Sequence, residues 1–372
     1  MRKIIYSQLR PLVLLSLVIL LFITNLLAGE DITVGEDSKR SSLIVLPIIS
    51  YTPETRLAGG LMMNLILPGK TAQNRPSSFL PSFIYTQNKQ VSAEISGLVN
   101  WRNDRYKLSG YAAYQEFPDK FYGIGPSTSE NAEEDYVPRR VKFDLHFQWR
   151  VLPATWTGFS FDYEYSKLRK VEDYGQLAMG SITGSGSGSA LGLGLSLSND
   201  TRDNVFSPAL GRNNVLTVQM FNKTLGGDYD YTRLNLDLRY YIPVKTDQVL
   251  ALNGYFNLLT GDPPFQRMSL LGEVGDYNLL RGYYQGRYRD YSMYALQAEY
   301  RLPVWWRFRA VVFAGIGDVA HQLNRFRLRT LKISGGGGIR FALNPEARLN
   351  LRLDYGLTPE SNGLYLSIGE AF

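Results

Sequence analysis

Few side chains in this sequence could support catalysis. The chain contains two histidines, His146 and His321, and no cysteine, which excludes thiolate nucleophiles, thiolate metal centres and disulfides. Hydrolytic and acyl-transfer sites generally need a histidine as general acid or base. His321 has no evident serine or aspartate partner, and His146 is most simply a polar residue on one face of a strand. The sequence therefore predicts that the protein is not an enzyme, with lipid modification through His146 as the alternative.

Two segments carry groups that could hold an ion. The Gly-Ser repeat at residues 184–188 resembles a phosphate-binding loop, but no helix pattern follows it, so a flexible loop is the better interpretation. Asp200, Asp203 and Asn204 offer oxygen ligands at a spacing that matches no calcium loop. Asp and Asn side chains commonly accept backbone N–H groups in turns. We therefore expect a structured turn there, no metal and no cofactor.

The composition narrows the class of protein. A chain of 372 residues with 44% hydrophobic and 20% charged residues is neither disordered nor a bundle of membrane helices. Its 25 Tyr, 18 Phe and 5 Trp favour strands and membrane interfaces. The formal net charge of +6 includes Arg2, Lys3 and Arg10 of a removable leader. The remainder is too weakly basic for nucleic-acid binding.

The amino-terminal residues predict export. Residues 1–28 combine a basic start, an apolar run at 12–23 and a small-residue cleavage site at Ala28, which is typical of a signal peptide. An uncleaved anchor helix is the alternative. Residues 29–42 are polar and acidic, and we expect a short periplasmic tail there. Residues 43–372 remain for the folded part.

Apolar and polar residues alternate through this folded part. In residues 141–150 every odd position is apolar or aromatic and every even position is polar or charged, and residues 349–355 repeat the pattern. Alternation predicts strands with two different faces. Strands of soluble sandwiches run about five or six residues, whereas these run about ten, the length of a tilted membrane crossing. The sequence therefore predicts an all-β fold, a 16-stranded antiparallel transmembrane β-barrel of the outer membrane.

The strand count rests on sixteen alternating segments. An even number places both ends of the barrel on the periplasmic side. The long connections should then follow strands five, seven, eleven and thirteen on the outer side, at residues 118–136, 168–188, 260–290 and 318–330. The predicted strand centres are Val45, Leu61, Phe83, Glu94, Gly110, Leu145, Phe161, Leu195, Val218, Leu236, Leu252, Leu296, Val312, Gly336, Leu351 and Leu366.

One long connection carries a recognisable motif. Residues 271–290 read LGEVGDYNLLRGYYQGRYRD, which resembles the sixth extracellular loop of the BamA/TamA outer-membrane assembly family (bacterial surface antigen family) with its (L/V)RG(F/Y) signature. Three other passages also resemble this family, and together the matches cover roughly the last half of the chain. They lie at residues 195–211, 298–303 and 367–372.

The resemblance implies that this loop folds back into the barrel and that Arg281, with Gly282 and Tyr283, forms a lock held by acidic groups of the inner wall. A guanidinium group in a partly dry lumen needs a carboxylate partner, and its fork of N–H groups suits bidentate pairing. Glu299 points inward by the alternation and is the first candidate. A solvated loop residue is the alternative role for Arg281.

For the second acidic partner, the sequence departs from the family pattern. The family's F-x-D-x-G on the next strand appears here as residues 313–317, with Gly315 at the position of the acid. Asp318, three residues later, is the expected substitute.

Two further motifs follow from the resemblance. Asp200, Arg202, Asp203 and Asn204 match the family's D-x-R-D-N periplasmic turn. The closing strand places four residues on one face with an aromatic at the end, the pattern by which the outer-membrane barrel assembly machinery recognises a protein to insert. These are Leu364, Leu366, Ile368 and Phe372, with Glu370 as an atypical member of that face.

The family's function gives the functional expectation. Members that insert or secrete proteins carry periplasmic POTRA repeats, for which residues 29–42 leave no room, so a barrel-only branch is expected. The implied role is non-enzymatic outer-membrane protein insertion or translocation, with a passive pore or surface-exposed scaffold as the alternative. The implied partners are outer-membrane lipids and lipopolysaccharide, the assembly machinery, client proteins or a separate periplasmic module, and no nucleic acid.

Overall fold

The computed structural model describes residues 41–52, 56–71, 74–274 and 277–372. The predicted signal peptide and nearly all of the predicted tail lie outside these residues. The described residues form sixteen long strands. In chain order they are β1 Ser42–Thr52, β2 Arg56–Leu67, β3 Ser77–Thr86, β4 Val91–Trp101, β5 Tyr106–Glu116, β6 Glu134–Leu152, β7 Thr155–Val171, β8 Ser187–Asp200, β9 Gly211–Phe221, β10 Tyr231–Lys245, β11 Gln248–Gly261, β12 Ser292–Trp305, β13 Phe308–Ala320, β14 Lys332–Asn344, β15 Leu349–Leu357 and β16 Asn362–Ile368.

Each long strand pairs antiparallel with the next one along the chain. Each predicted strand centre lies in a different strand, so the predicted all-β, 16-stranded transmembrane barrel is confirmed. β1 begins near the turn that joins β14 to β15. There, Asn344 Nδ2 donates to Ser42 Oγ over 3.2 Å. Among the described residues, no helix has the length and apolar character needed to cross a membrane.

The short elements lie in the connections. Strand Asp119–Phe121 pairs with the start of β6, Ser269–Leu271 pairs with Tyr288–Asp290, and Glu273–Val274 pairs with Tyr277–Asn278. The described 3₁₀ helices are Glu130–Ala132, Lys223–Leu225, Phe265–Arg267, Leu323–Arg325 and Leu328–Thr330.

The two faces of the sheet have opposite polarity. Inward side chains include many charged residues that are almost completely buried, such as Glu299 and Asp354 at 0% exposure. Outward side chains are apolar and open, such as Val312 at 56% and Trp305 at 72%. A water-soluble protein has the reverse arrangement. An apolar outer surface around a polar interior is the arrangement of a barrel that is surrounded by lipid.

The connections differ at the two ends of the barrel. At one end, here called the loop end, the connections include residues 117–133, 172–186, 262–291 and 321–331. At the other, the turn end, most are short, and the longer ones are fastened by hydrogen bonds. Arg75, in the connection from β2 to β3, pairs with the Asp200 carboxylate and donates to its carbonyl oxygen over 2.6 Å.

The largest connection, residues 262–291, lies inside the barrel and is called the inner loop. Leu271, Leu279, Leu280 and Tyr283 of this loop form an apolar cluster with residues of β12 and β13. Burial of this apolar surface supplies the main driving force for folding the loop inward.

Candidate functional site: the inner-loop arginine

Arg281 of the inner loop is held between two carboxylates of the barrel wall. Its Nη2 lies 2.8 Å from Glu299 Oε2 on β12, and its Nη1 pairs with Asp354 on β15. Its guanidinium carbon lies 3.5 Å from the ring centre of Phe313 on β13. Arg281 is only 1% exposed. A buried guanidinium is tolerated because both ends are paired and its flat face stacks on an aromatic ring.

The backbone on both sides of Arg281 is also fixed. Leu280 N donates to Gln297 Oε1 over 3.0 Å, and Gly282 N donates to Tyr365 OH over 2.8 Å. Ser361 Oγ donates to Gly282 O over 2.7 Å. Ser361 and Tyr365 belong to the hairpin formed by β15 and β16. The loop is therefore bound directly to the last strand.

Glycines of the wall make room for the loop. A Cβ on Gly356 would lie 2.5 Å from the Arg281 carbonyl carbon, and one on Gly315 would lie 2.6 Å from Leu280 Cδ2. Gly282 has φ of 115°, a conformation that a side chain disfavours. The position at which the family pattern has an acid is therefore occupied by the side chain of Leu280.

The prediction of Asp318 as a partner of Arg281 is wrong. Asp318 lies at the loop end of β13, where its carboxylate accepts from Val319 N over 2.9 Å and from Thr330 Oγ1 over 2.5 Å. Asp354 is the second acid. The sequence does not single out Asp354 as a partner, because the pattern of one strand does not show which distant strand faces the loop.

The two carboxylates also hold other arginines. Glu299 Oε1 lies 2.8 Å from Arg301 Nε, and Arg340 pairs with Asp354. Arg340 Nε lies 2.7 Å from Glu370 Oε2. Cations and anions alternate through this cluster, which is what a buried charge network requires. The Arg281 network comprises Arg281, Arg301, Arg340 and Arg352 with Glu299, Asp354 and Glu370.

The end of the chain turns into this network. The closing strand was predicted to carry four residues on one face. Leu364 and Leu366 are 69% and 68% exposed, and Ile368 is half-buried. The prediction is wrong for Phe372, which is only 6% exposed. Gly369, with φ of 92°, ends the strand alternation and directs the following residues inward.

The inward tail makes specific contacts. Phe372 packs in a cluster with Tyr241, Val249 and Ala251. Arg301 Nη2 donates to Phe372 O over 3.0 Å. Glu370, atypical for a lipid-facing position, is the residue that pairs with Arg340. The tail after β16 is therefore joined through two arginines to the carboxylates that hold Arg281.

A second arginine fastens the inner loop to another part of the wall. Arg267 pairs with Asp162 and lies 2.9 Å from Glu164 Oε2, both on β7. Arg233 of β10 lies 3.2 Å from the same Asp162. This contact was not predicted from the sequence. The sequence feature that points to it is the pair of inward carboxylates in the alternation of β7, together with an arginine in the longest connection.

The loop end closes over the inner loop. Gly125 N donates to Arg289 O over 2.8 Å, and Arg287 donates to the Thr128 carbonyl and hydroxyl, each over 3.0 Å. Phe265 packs edge-on against Phe121, with ring centres 5.2 Å apart. Burial, with the neighbouring Glu360 carboxylate, raises the pKa of Tyr283 to about 12. Tyr283 is therefore a neutral packing residue at physiological pH.

The D-x-R-D-N motif forms a connected turn at the turn end. Asp200 accepts from Arg202 Nε over 2.9 Å. Asp203 Oδ1 accepts from Ala209 N over 2.9 Å, and its other oxygen lies 2.6 Å from Arg348 Nη1. Asn204 Oδ1 accepts from the amides of residues 206 and 207. These side chains act on backbone and arginine groups, and the described residues contain no cluster of three potential metal ligands.

Both histidines have acidic neighbours. His146 Nε2 lies 2.9 Å from Asp144 Oδ1 on the same inward face of β6. His321 Nδ1 lies 3.7 Å from Asp290 Oδ1, and its ring packs edge-on against Tyr291. The acidic partner of His321 is not evident from the sequence, because Asp290 lies in a different connection.

Comparisons with known proteins agree with this geometry. The profile of the Omp85 superfamily domain matches residues 81–372. The structure is similar to that of BamA from Haemophilus ducreyi lacking POTRA domains 1–3, with a TM-score of 0.54 and 14% identity over 89% of this chain and 70% of that chain. It is also similar to CdiB from Acinetobacter baumannii, with a TM-score of 0.54 and 13% identity over 88% of this chain.

CdiB from Escherichia coli gives a TM-score of 0.55 and 8% identity over 88% of this chain. The chain spans 59% and 62% of the lengths of the two CdiB chains. At these identities the likeness concerns the fold. No curated protein matches the sequence significantly.

Proposed function

The chain belongs to the Omp85 superfamily, and from this we propose that it is an outer-membrane barrel that inserts or translocates proteins without catalysing a covalent reaction. Its action would take place at the seam between β1 and β16, with the inner loop as the gate. An exposed strand edge can pair with an incoming strand and so template its folding.

The observation that carries this proposal is the direct connection between the Arg281 network and the last strand. The inner loop contacts the last hairpin through Gly282. The tail after β16 reaches the same network through Glu370. A loop that moved away from Glu299 and Asp354 would release its contacts with the last hairpin, and it would remove one cation from the network that holds the tail after β16.

The last strand is well suited to exchange its partner. With seven residues it is the shortest of the sixteen long strands described, and it pairs with β15 over seven Cα positions, whereas β6 and β7 pair over sixteen. A short ladder costs less to open than a long one, because each residue pair contributes to its stability. We infer that β16 is the strand that opens.

The proposed partners follow from the insertion role. An incoming strand would be a segment of a client barrel or of an exported protein, and a separate periplasmic module would deliver it. Leu364 and Leu366 would rest against outer-membrane lipid in the closed state. The C-terminal assembly signal of this chain would consist of Leu364, Leu366 and Ile368, with Phe372 contributing before the tail turns inward.

A depletion experiment tests the proposed function. Cells depleted of the protein should contain less of other outer-membrane barrels or of an exported protein, measured by quantitative proteomics of the outer membrane. Wild type and Arg139→Ala should restore these levels. Arg139 of β6 is a suitable control because it pairs with Glu116 of β5 over 2.8 Å, and neither residue belongs to the inner loop or to the Arg281 network. Arg281→Ala should restore them poorly.

The opposite results would favour a passive pore. Unchanged levels of other outer-membrane proteins after depletion, together with a large steady conductance in planar bilayers that Arg281→Ala leaves unchanged, would contradict the proposal. Loss of a lipid-modifying activity on His146→Ala would contradict its non-enzymatic part.

A further inference from the structure

The connection between β13 and β14, residues 321–331, is called the basic loop. It exposes Arg325, Arg327 and Arg329, and the sequence contains no acidic residue between Asp318 and Glu346. Three guanidinium groups on alternate residues of one short segment repel each other. Such an arrangement is stable when a multiply charged anion binds it.

The same loop also exposes large apolar side chains. Leu323 is 62% exposed and Leu328 is 90% exposed. Phe326 packs edge-on against Tyr294, with ring centres 4.9 Å apart. Tyr294 lies at the loop end of β12 on the outward face, the position of an interfacial aromatic girdle. This contact places the basic loop at the level where lipid headgroups meet the acyl chains.

The arginines border a cleft. Its volume is about 390 Å³, and it is lined on one side by the basic loop and on the other by the connection from β5 to β6. Lys332 lies beside it and donates to the carbonyl oxygens of Pro126 and Thr330, at 2.8 and 2.6 Å. The acidic residue in the lining, Asp290, accepts from Tyr291 N over 2.9 Å. The charged groups that line the cleft are therefore predominantly basic.

We propose that the basic loop binds a phosphorylated, acylated glycolipid of the outer leaflet. The arginines would bind its phosphates through paired N–H groups, while Leu323 and Leu328 would contact its acyl chains. A lipid fits better than a peptide because the charged and apolar groups lie together at the membrane interface. The proposal rests on the placement of the barrel in the outer membrane and does not depend on the assembly role.

A direct binding measurement tests this site. The full-length protein in neutral detergent is titrated with diphosphoryl lipid A and the complex is measured by native mass spectrometry. The variant R325Q/R327Q/R329Q should bind about 100-fold more weakly, since each basic residue near a charged lipid surface contributes close to a fivefold change. Barrel folding of each variant is checked by its shift in electrophoretic mobility on heating.

A matched variant controls for net charge. K167Q/R169Q/K170Q removes the same charge from exposed cations near the loop end of β7 and should bind lipid A as wild type does. L323S/L328S should weaken binding at least about tenfold, because it removes apolar contact. Monophosphoryl lipid A should bind more weakly than the diphosphoryl form.

Three results would overturn the proposal. These are wild-type binding by the triple arginine variant, an equal loss in the lysine and arginine control, and full competition by inorganic phosphate with no effect of L323S/L328S. Specific binding of an acidic peptide in place of lipid A would also overturn it. None of these measurements involves a client protein, so they fail or succeed separately from the depletion experiment.

Discussion

The Arg281 network makes an unusual prediction about the order of mutational effects. It contains four arginines and three carboxylates. Arg281→Ala leaves three of each, so the remaining charges balance. Asp354→Asn leaves four cations and two anions, among them Arg340 and Arg352 next to the lost charge. We therefore expect the carboxylate variant to open the inner loop more than the arginine variant does.

The size of the effect follows from the burial of the pair. Breaking a buried ion pair costs about 3–5 kcal/mol, most of it from the charge left without a partner. Arg281→Ala should lie near the lower end of this range, and about 3 kcal/mol raises the population of the open loop by about 150-fold. Asp354→Asn should lie at the upper end. The ladders from β1 to β15 are not involved, so the barrel itself should remain folded in both variants.

Cysteine labelling measures this opening. The native chain has no cysteine, so Leu279→Cys introduces a single thiol at a position that is 2% exposed. Its rate of reaction with a maleimide should rise in the order wild type, Arg281→Ala, Asp354→Asn, while Arg139→Ala leaves it unchanged. Equal rates in all four backgrounds would show that Arg281 does not hold the loop. The reverse order of Arg281→Ala and Asp354→Asn would refute the charge-balance argument.

Three further predictions concern the parts around the network. Arg267→Ala should also raise the labelling rate of the Leu279→Cys thiol, and its effect should add to that of Arg281→Ala in free energy because the two arginines bind different carboxylates; a double variant no faster than either single variant would contradict this. Gly356→Ala should displace the loop, since the added Cβ would lie 2.5 Å from the Arg281 backbone, whereas Gly59→Ala, with open space around its Cβ, should leave labelling unchanged. At the turn end, burial disfavours the Asp203 carboxylate, but hydrogen bonds from the amides of Ala209 and Leu210 and from Arg348 outweigh it and lower its pKa from 3.8. The stability gained from this group is therefore present above pH 3.8 and is lost as the pH falls through the lowered folded-state value; thermal unfolding of wild type and Asp203→Asn should converge there, and a constant difference at all pH values would contradict the assignment.

The strands could be predicted from the sequence because one side of each faces lipid. In β6, every second residue from Val141 to Trp149 is apolar, and a shift of one position would place charges in the membrane. The pattern therefore determines both the strand and its orientation. The same reasoning predicts that Glu299 points inward, and the family resemblance is sufficient to predict its contact with Arg281.

The remaining contacts depend on which distant strands face the loop, and alternation does not contain that information. Asp354 and Glu164 both look like ordinary inward residues, and only the folded barrel places them beside Arg281 and Arg267. The wrong prediction for Phe372 has a local cause. Gly369 has a left-handed backbone conformation that turns the following residues inward, so Phe372 does not lie on the face that the alternation predicts.

Hydrogen exchange of β16 tests most directly whether the inner-loop arginine holds the last strand. The measurement compares amide protection across the barrel in wild type, Arg281→Ala and Arg139→Ala, with the full chain in detergent or nanodiscs. We expect Arg281→Ala to lose protection in β16 and in the tail after Gly369 while β6 and β7 remain unchanged. Unaltered protection of β16 in a variant whose inner loop has opened would contradict the account.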